Sequence, residues 1–291
     1  MTPPVMGRAP LPPKRFVEVG DGIIAVVHGD GTAGVANCAV VADGGSAFMF
    51  DALLLPEMAC GVVDEVHRRG FRVETVLNSH FHVDHVGGNA AFTEAAVFAH
   101  PTARAIAGGM VGRLDVVART QPRFAAELAE LDLRLPDPAP AGLPLPRGGR
   151  LLTFTPAHSP ADLAVWLPDE RVLLAGDVCF NAVTPLAVHG QVSSWIRALD
   201  ELIALEPAVV VPGHGPVAAV EDLVTLRGYF AALWDVAARA HADGVAAEEA
   251  LAELDAGPVA EWLEPRRTAL NLRRAMQELR GEIDPSRPPV P

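Results

Sequence analysis

Between positions 78 and 89 the chain reads Asn78-Ser79-His80-Phe81-His82-Val83-Asp84-His85-Val86-Gly87-Gly88-Asn89, with three imidazoles and a carboxylate inside six residues. Imidazole and carboxylate are the donor set for zinc-like divalent ions. In an extended stretch, side chains two apart point the same way, so His80 and His82 can grip one ion. A turn at Asp84 lets Asp84 and His85 face a second position. The chain has 10 histidines in 291 residues, which makes three in one six-residue window a poor match to an ordinary polar loop. Three more donors stand where strands are predicted to end. His158 follows the run 151–155, Asp177 closes Val172-Leu173-Leu174-Ala175-Gly176-Asp177, and His214 lies in Pro212-Gly213-His214-Gly215-Pro216. Each alone reads as a surface or capping residue, and only their order makes a pattern.

The elements that must position these residues can be read from apolar runs and turn residues. Strands are predicted over 16–19, 23–27, 37–41 and 47–50, separated by glycine- and aspartate-rich turns. A helix is predicted over 54–69, with Pro56 suited to its first turn and Gly70 after its end. The branched run 73–77 is a buried strand that delivers the histidine-rich loop, and 97–99 is another short strand. From 101 to 133 the pattern is helical, with breaks expected at Gly108-Gly109 and Pro122. Five prolines in 136–146 exclude regular helix and central strand there. Segment 108–147 is therefore expected to be an inserted cap or loop. Strands over 151–155, 163–167 and 172–175, a helix over 194–205 and a strand over 208–211 follow. Helices are predicted over 220–242, 246–254 and 265–279. Residues 1–15 and 284–291 are proline-rich and are expected to be tails, the first flexible or strapped over the surface. Two successive strand blocks, each followed by helices, point to two packed sheets with helices outside.

Composition narrows the partners. Half of the residues are apolar and a fifth are charged, as in a globular protein. The net charge is −13, and the 23 basic residues, of which Lys14 is the single lysine, form no stripe that could hold a phosphate backbone. Nucleic acid is therefore an unexpected partner and a small molecule the expected one. The three cysteines form no C-x-x-C, so the reducing cytoplasm is the expected compartment. No apolar run approaches the roughly 18–20 residues of a membrane span, and no signal-peptide segment is visible at the N-terminus.

The ordered set His-x-His-x-Asp-His, a later histidine, an aspartate after glycine and a histidine in a Pro-Gly-His-Gly turn resembles the metallo-β-lactamase superfamily of metallohydrolases, over about residues 16–220. The resemblance implies an α/β fold, a four-layer αββα sandwich, as one catalytic domain, with 221–283 as its helical extension. It implies His80, His82 and His158 on one metal, Asp84, His85 and His214 on a second, and Asp177 bridging both. Asp51 matches the aspartate that family members hold beneath the metals; read by itself, it is equally a helix cap. Two divalent ions, zinc foremost with iron or manganese also suited, then activate a bridging hydroxide against a carbonyl. Asp84 is expected to take the proton and pass it to the leaving group.

Departures from the pattern choose among branches. Common secreted β-lactamases carry cysteine where Asp177 stands. Glyoxalase-II-like thioesterases hold glutathione with basic residues, whereas the single lysine here lies near the N-terminus. Quorum-quenching lactonases place a tyrosine where Phe180 stands. Segments 158–168 and 175–186 are similar to thioesterase/cyclase-type proteins of aromatic polyketide pathways and to uncharacterised bacterial hydrolases. That similarity implies ester, thioester or lactone hydrolysis in a mostly apolar pocket, with Phe81, Phe180, Leu186, His189 and the 108–147 insertion as walls. The competing readings are polyketide thioesterase/cyclase activity and an iron-dependent oxygen or thiol oxidoreductase on the same fold. The C-terminal helices are expected to be an outer layer, or alternatively a homodimer surface or lid using Trp234 and Trp262.

Overall fold

A computed structural model describes residues 8–284, without the side chain of Thr120. The first half runs β1 (Lys14–Gly20), β2 (Ile23–His28), β3 (Cys38–Asp43), β4 (Ser46–Phe50), α1 (Pro56–Arg68), β5 (Arg72–Leu77), α2 (Val83–Val86), β6 (Ala96–Ala99), α3 (Pro101–Met110), α4 (Leu114–Thr120), α5 (Ala125–Glu130) and β7 (Asp137–Pro138). The second half runs β8 (Arg150–Phe154), β9 (Asp162–Leu167), β10 (Val172–Phe180), α6 (Val192–Ile203), β11 (Val209–His214), α7 (Val220–Asp243), α8 (Ala247–Ala250) and α9 (Arg267–Leu279).

Strands β1 to β7 form one sheet in chain order, antiparallel as far as β4 and parallel beyond it. The change of direction has a cause in the chain: β4 and β5 are joined through α1, and a parallel step needs such a crossover. The second sheet has the order β11-β10-β9-β8, with β11 parallel to β10 after the crossover through α6. Period-two alternation assigns the layers. Ile23, Ala25, Phe48 and Phe50 turn toward Leu163, Val165 and Leu174 and fill the space between the sheets. Their neighbours Val26, Met49 and Val76 turn the other way, onto Met58, Val62 and Val66 of α1. Across the second sheet, Trp166 and Leu173 meet Trp195, Leu199 and Phe230 of α6 and α7. This is the αββα sandwich. Each fully buried side chain of this size contributes about 1.5–3 kcal/mol. Trp195 is fully buried, and its indole N–H is satisfied by donating to Val178 O at 2.9 Å.

Several expectations need correction. The tail ends earlier than position 15: Lys14 and Arg15 already pair with His28 and Val27. Residues 8 and 9 lie over the first half, with Arg8 ion-paired to Glu130 and the Ala9 amide donating to Glu127. Residues 1–7 and 285–291, most of the two expected tails, lie outside the described residues. Helix α3 runs unbroken through Gly108-Gly109 to Met110, because Ala103, Ile106, Ala107 and Met110 are buried on one face. Strand β10 continues past Ala175 to Phe180, since every residue in it is buried. Within 108–147, Phe124, Leu128 and Leu133 join the core above α1. The proline-rich part adds only two residues to the sheet, as the edge strand β7.

Candidate metal centre

The loop after β5 is folded by its own side chains. Asn78 and Asn89 exchange amide hydrogen bonds at 3.0 and 2.9 Å, and Asn78 Nδ2 also donates to His85 O at 2.9 Å. His80 and His82 stay in extended chain, and α2 then turns Asp84 and His85 inward. The chain passes so close to segment 52–54 that a Cβ on Gly87 or Gly88 would lie 1.9 Å from a carbonyl oxygen. Donors from the second half come from β10, the end of β11 and the β8–β9 turn. Asp177 projects from β10 into the space left by Gly213, where a Cβ would sit 1.9 Å from its Oδ1. His214 ends β11, and His158 stands in the turn between β8 and β9.

The structure brings together all seven residues. His80, His82, His158 and Asp177 form one group that could hold a metal ion, and Asp84, His85 and His214 form another; within each group the donor atoms lie within 4.8 Å of one another. His82 Nδ1 is 2.8 Å from His80 Nε2 and 3.0 Å from His158 Nε2. Asp177 spans the groups, with Oδ1 3.1 Å from His85 Nε2 and Oδ2 3.2 Å from His158 Nε2. His214 Nε2 lies 3.5 Å from Asp84 Oδ2.

The outward ring nitrogens are held as well. Asp51 Oδ2 is 2.8 Å from His85 Nδ1, and its carboxylate accepts from the Ser79 amide and hydroxyl. Asp51 adopts the left-handed region at φ 66°, a conformation that costs about 1–3 kcal/mol and occurs where surrounding contacts impose it. Ser79 Oγ lies 2.9 Å from His80 Nδ1, and Gly31 O accepts from His214 Nδ1 at 2.8 Å. His189 Nδ1 is 2.7 Å from His82 Nε2. Among the described residues, His158 Nδ1 is buried without a partner.

Burial holds the imidazoles of His80 and His158 well below their usual range and pushes His82 down to about 4. Neutral rings are the form that binds a cation. Burial would also raise Asp177, but His85, His214 and His158 hold it well below the usual carboxylate range. His85 goes the other way: burial opposes its charge, yet Asp177 and Asp51 hold it well above the imidazole range. Its proton stands where a cation would serve the same carboxylates. His85 Nε2 and Asp177 Oδ1 are buried and face each other at 3.1 Å without good hydrogen-bond geometry, and neither has another partner among the described residues. Such poorly satisfied donor atoms at the middle of a histidine cluster fit the binding of divalent ions.

A cavity of about 330 Å³ opens over both groups. Phe180, Leu186 and His189 line it, as do Met110, Val117 and Gln121 from the 108–147 segment. Phe81 does not; it is buried in the first-half core, its ring 4.5 Å from that of His82. Trp234 and Trp262 pack against the α6–α7 core instead, and the C-terminal region reaches the cavity through Arg267. Two supporting residues were not legible in the chain. Asn37 Nδ2 donates to Pro212 O at 3.0 Å and Gly215 O at 2.7 Å, which fixes the turn carrying His214. Asp162, pushed up to about 7 by burial, accepts from the Ser159 amide beside His158. A lone Asn or Asp carries no spacing signal; only Asp162's place four residues after His158 hinted at its role.

An αββα sandwich with histidine and aspartate donors gathered at the ends of both sheets defines a class of metal-centre protein. The chain belongs to the metallo-beta-lactamase superfamily, whose family model matches residues 31–214. It is similar to a hydroxyacylglutathione hydrolase of Methylococcus capsulatus, 27% identical over 155 residues that make up 52% of this chain and 51% of the relative. The chain thus spans about half the length of that relative. It is also similar to a probable metallo-hydrolase, YflN, of Bacillus subtilis, 24% identical over 248 residues, 71% of this chain and 90% of that one. Among solved structures, the DIM-1 metallo-beta-lactamase superposes with a TM-score of 0.59 at 16% identity, covering 76% of this chain and 98% of its own, a likeness of fold. No helix among the described residues is long and apolar enough to cross a membrane.

Proposed function

We propose that the protein is a dinuclear metal-dependent hydrolase of an ester, thioester or lactone with a mostly apolar body. The observation that carries this reading is the placement of two adjacent donor groups at the floor of an apolar cavity. His80, His82 and His158 would hold one ion, Asp84, His85 and His214 the other, with Asp177 shared between them. Two divalent ions, zinc foremost, supply an activated water near neutral pH and Lewis-acid stabilisation of the developing oxyanion. The chain supplies the rest. Asp51, Ser79, Gly31 O and His189 orient the rings of His85, His80, His214 and His82 respectively. Asp84, 7% exposed at the cavity wall, would take a proton and return it to the leaving group. Phe180, Leu186 and Val117 exclude water and receive the apolar body. The segment 110–121 acts as the cap of the pocket. A relative named for a thioester hydrolase supports a thioester among the candidates.

The test offers aryl esters, acyl thioesters, lactones and cephalosporins to protein loaded with zinc, with metal content measured before loading. Turnover of the first three classes, lost with a chelator and restored by zinc, is the expected result. Turnover of cephalosporins alone overturns the reading. Stoichiometric iron with visible absorbance in unloaded protein overturns it in favour of oxygen or thiol chemistry.

A further inference from the structure

Arg267 opens α9, more than fifty residues beyond the end of the family match at 214, yet its side chain lines the same cavity as Asp84, Asp177 and His214. It is 9% exposed. Among the described residues that line the cavity it is the one arginine or lysine. Guanidinium carries five N–H donors in a rigid fork. Here Nη1 donates to Thr184 O at 3.0 Å, while Nη2 stays 3.8 Å from Glu264 Oε1, beyond hydrogen-bond distance. The Thr184 contact anchors the side chain and leaves most of the fork uncommitted. Glu264 Oε1 shares this loose ion pair with the Ala33 amide, which faces it at 3.5 Å. Burying a cation costs free energy unless an anion satisfies it; Glu264 does so only through a loose ion pair, and Asp84 and Asp177, which also attract it, belong to the donor groups. Met110, Val116, Leu186 and Val188 line the same cavity and cannot do so.

We propose that Arg267 is an anion-binding residue of the pocket, and that the substrate is an apolar ester, thioester or lactone that also bears a carboxylate. This rests on the hydrolase reading above. A planar carboxylate matches the fork in two parallel hydrogen bonds. A single guanidinium, the one basic side chain of the arginine–lysine type in the lining, fits a monoanion and leaves a phosphate dianion half unpaired. The substrate therefore has three parts: the scissile carbonyl over the donor groups, an apolar chain along the 110–121 and 186–188 walls, and a carboxylate at Arg267.

The experiment uses the full chain loaded with zinc and two esters of equal length, mono-4-nitrophenyl suberate and its methyl ester. The quantity read is the ratio of kcat/KM, acid over neutral, measured on one preparation so that the folded fraction cancels. The wild-type ratio is expected to exceed about ten, the worth of a charge-assisted bidentate pair. Arg267→Met brings it to near one. Arg267→Lys, which keeps the charge but loses the fork, leaves it in between. Glu264→Gln removes the competing carboxylate and raises it. Should Arg267→Met fail to fold, the opposite shifts expected of Arg267→Lys and Glu264→Gln decide the matter. A wild-type ratio near one, or a ratio that none of these variants moves, overturns the role of Arg267 while leaving the hydrolase reading intact. Hydrolysis of neither ester overturns the hydrolase reading itself, and this proposal with it.

Discussion

Four of the seven donors, His80, His82, Asp84 and His85, come from one loop at the end of β5, whereas His158, Asp177 and His214 come singly from three places around the second sheet. The first set carries its geometry locally. Extended chain aligns two histidines, a single helical turn redirects the next two donors, and Asn78 and Asn89 close the loop. The second set has no local geometry to speak of. Its donors meet only because β9, β10 and β11 are in register and because the sheets dock. That docking is hydrogen-bonded beside the site: Leu163 N donates to Ser79 O at 2.8 Å, Asn37 N to Gly213 O at 2.7 Å, and Gly31 O accepts from His214. One half thus builds half a site by itself, and the other contributes only when the sandwich is complete.

The sharpest way to break this comparison is Asp177→Asn. Its carboxylate faces both donor groups, so the isosteric amide should leave the fold in place and separate the halves chemically. Bound metal is expected to fall from two ions per chain to at most one, and turnover by at least about 10³-fold, as for groups that act as a unit. Metal analysis and steady-state kinetics on one preparation check it. Two ions retained with less than tenfold loss would mean that the halves do not share this carboxylate.

A smaller effect is expected from Asn37→Ala. That side chain holds the His214 turn from the opposite half, and its loss leaves the buried carbonyls of Pro212 and Gly215 without their donor. Buried groups stripped of a partner cost about 1–3 kcal/mol each, so roughly 2–6 kcal/mol of unfolding free energy should go. Urea denaturation measures it. Retained wild-type stability would show that sheet packing alone positions the turn.

The same contrast explains what could be read from the chain. The His80–His85 cluster was legible because period-two alternation and a turn are local properties of sequence. The layers were legible because the apolar runs alternate, or are apolar throughout, where the structure buries one face or two. His158, Asp177 and His214 were weak one by one and drew meaning from their order and from the family resemblance. Helix α3 was misjudged because two glycines, at about 1 kcal/mol each against helix, are outweighed by burying Ala107 and Met110. Strand β10 was cut short because Gly176-Asp177 looks like a stop, whereas Val178, Cys179 and Phe180 are all buried beyond it. The family similarity implies Phe81 as a pocket wall, but alternation turns it into the core. Asn37 and Arg267 had no signal at all, since an isolated polar residue acquires its role from partners far along the chain.

His189 crosses between the halves and offers the finest test. It lies after β10, yet it holds a ring of the first-half loop at 2.7 Å. His82 turns Nδ1 toward His80 and His158, so an ion bound there would take the Nδ1 lone pair and leave the proton on Nε2, facing His189 Nδ1. An acceptor at His189 Nδ1 favours the tautomer in which His82 Nδ1 keeps a free lone pair. Without His189, the His82 ring can rotate and exchange tautomers, and each alternative must be reversed before an ion binds. His189→Ala is therefore expected to weaken metal binding by about 10–100-fold, the usual cost of losing an orienting partner. His189→Gln, whose Oε1 also accepts, should recover part of it. Competition against a chromogenic chelator reads both without reference to substrate. If His189→Ala binds metal as the wild type does, the first-half loop sets its own ring orientation, and its independence of the second half extends to the tautomer of His82.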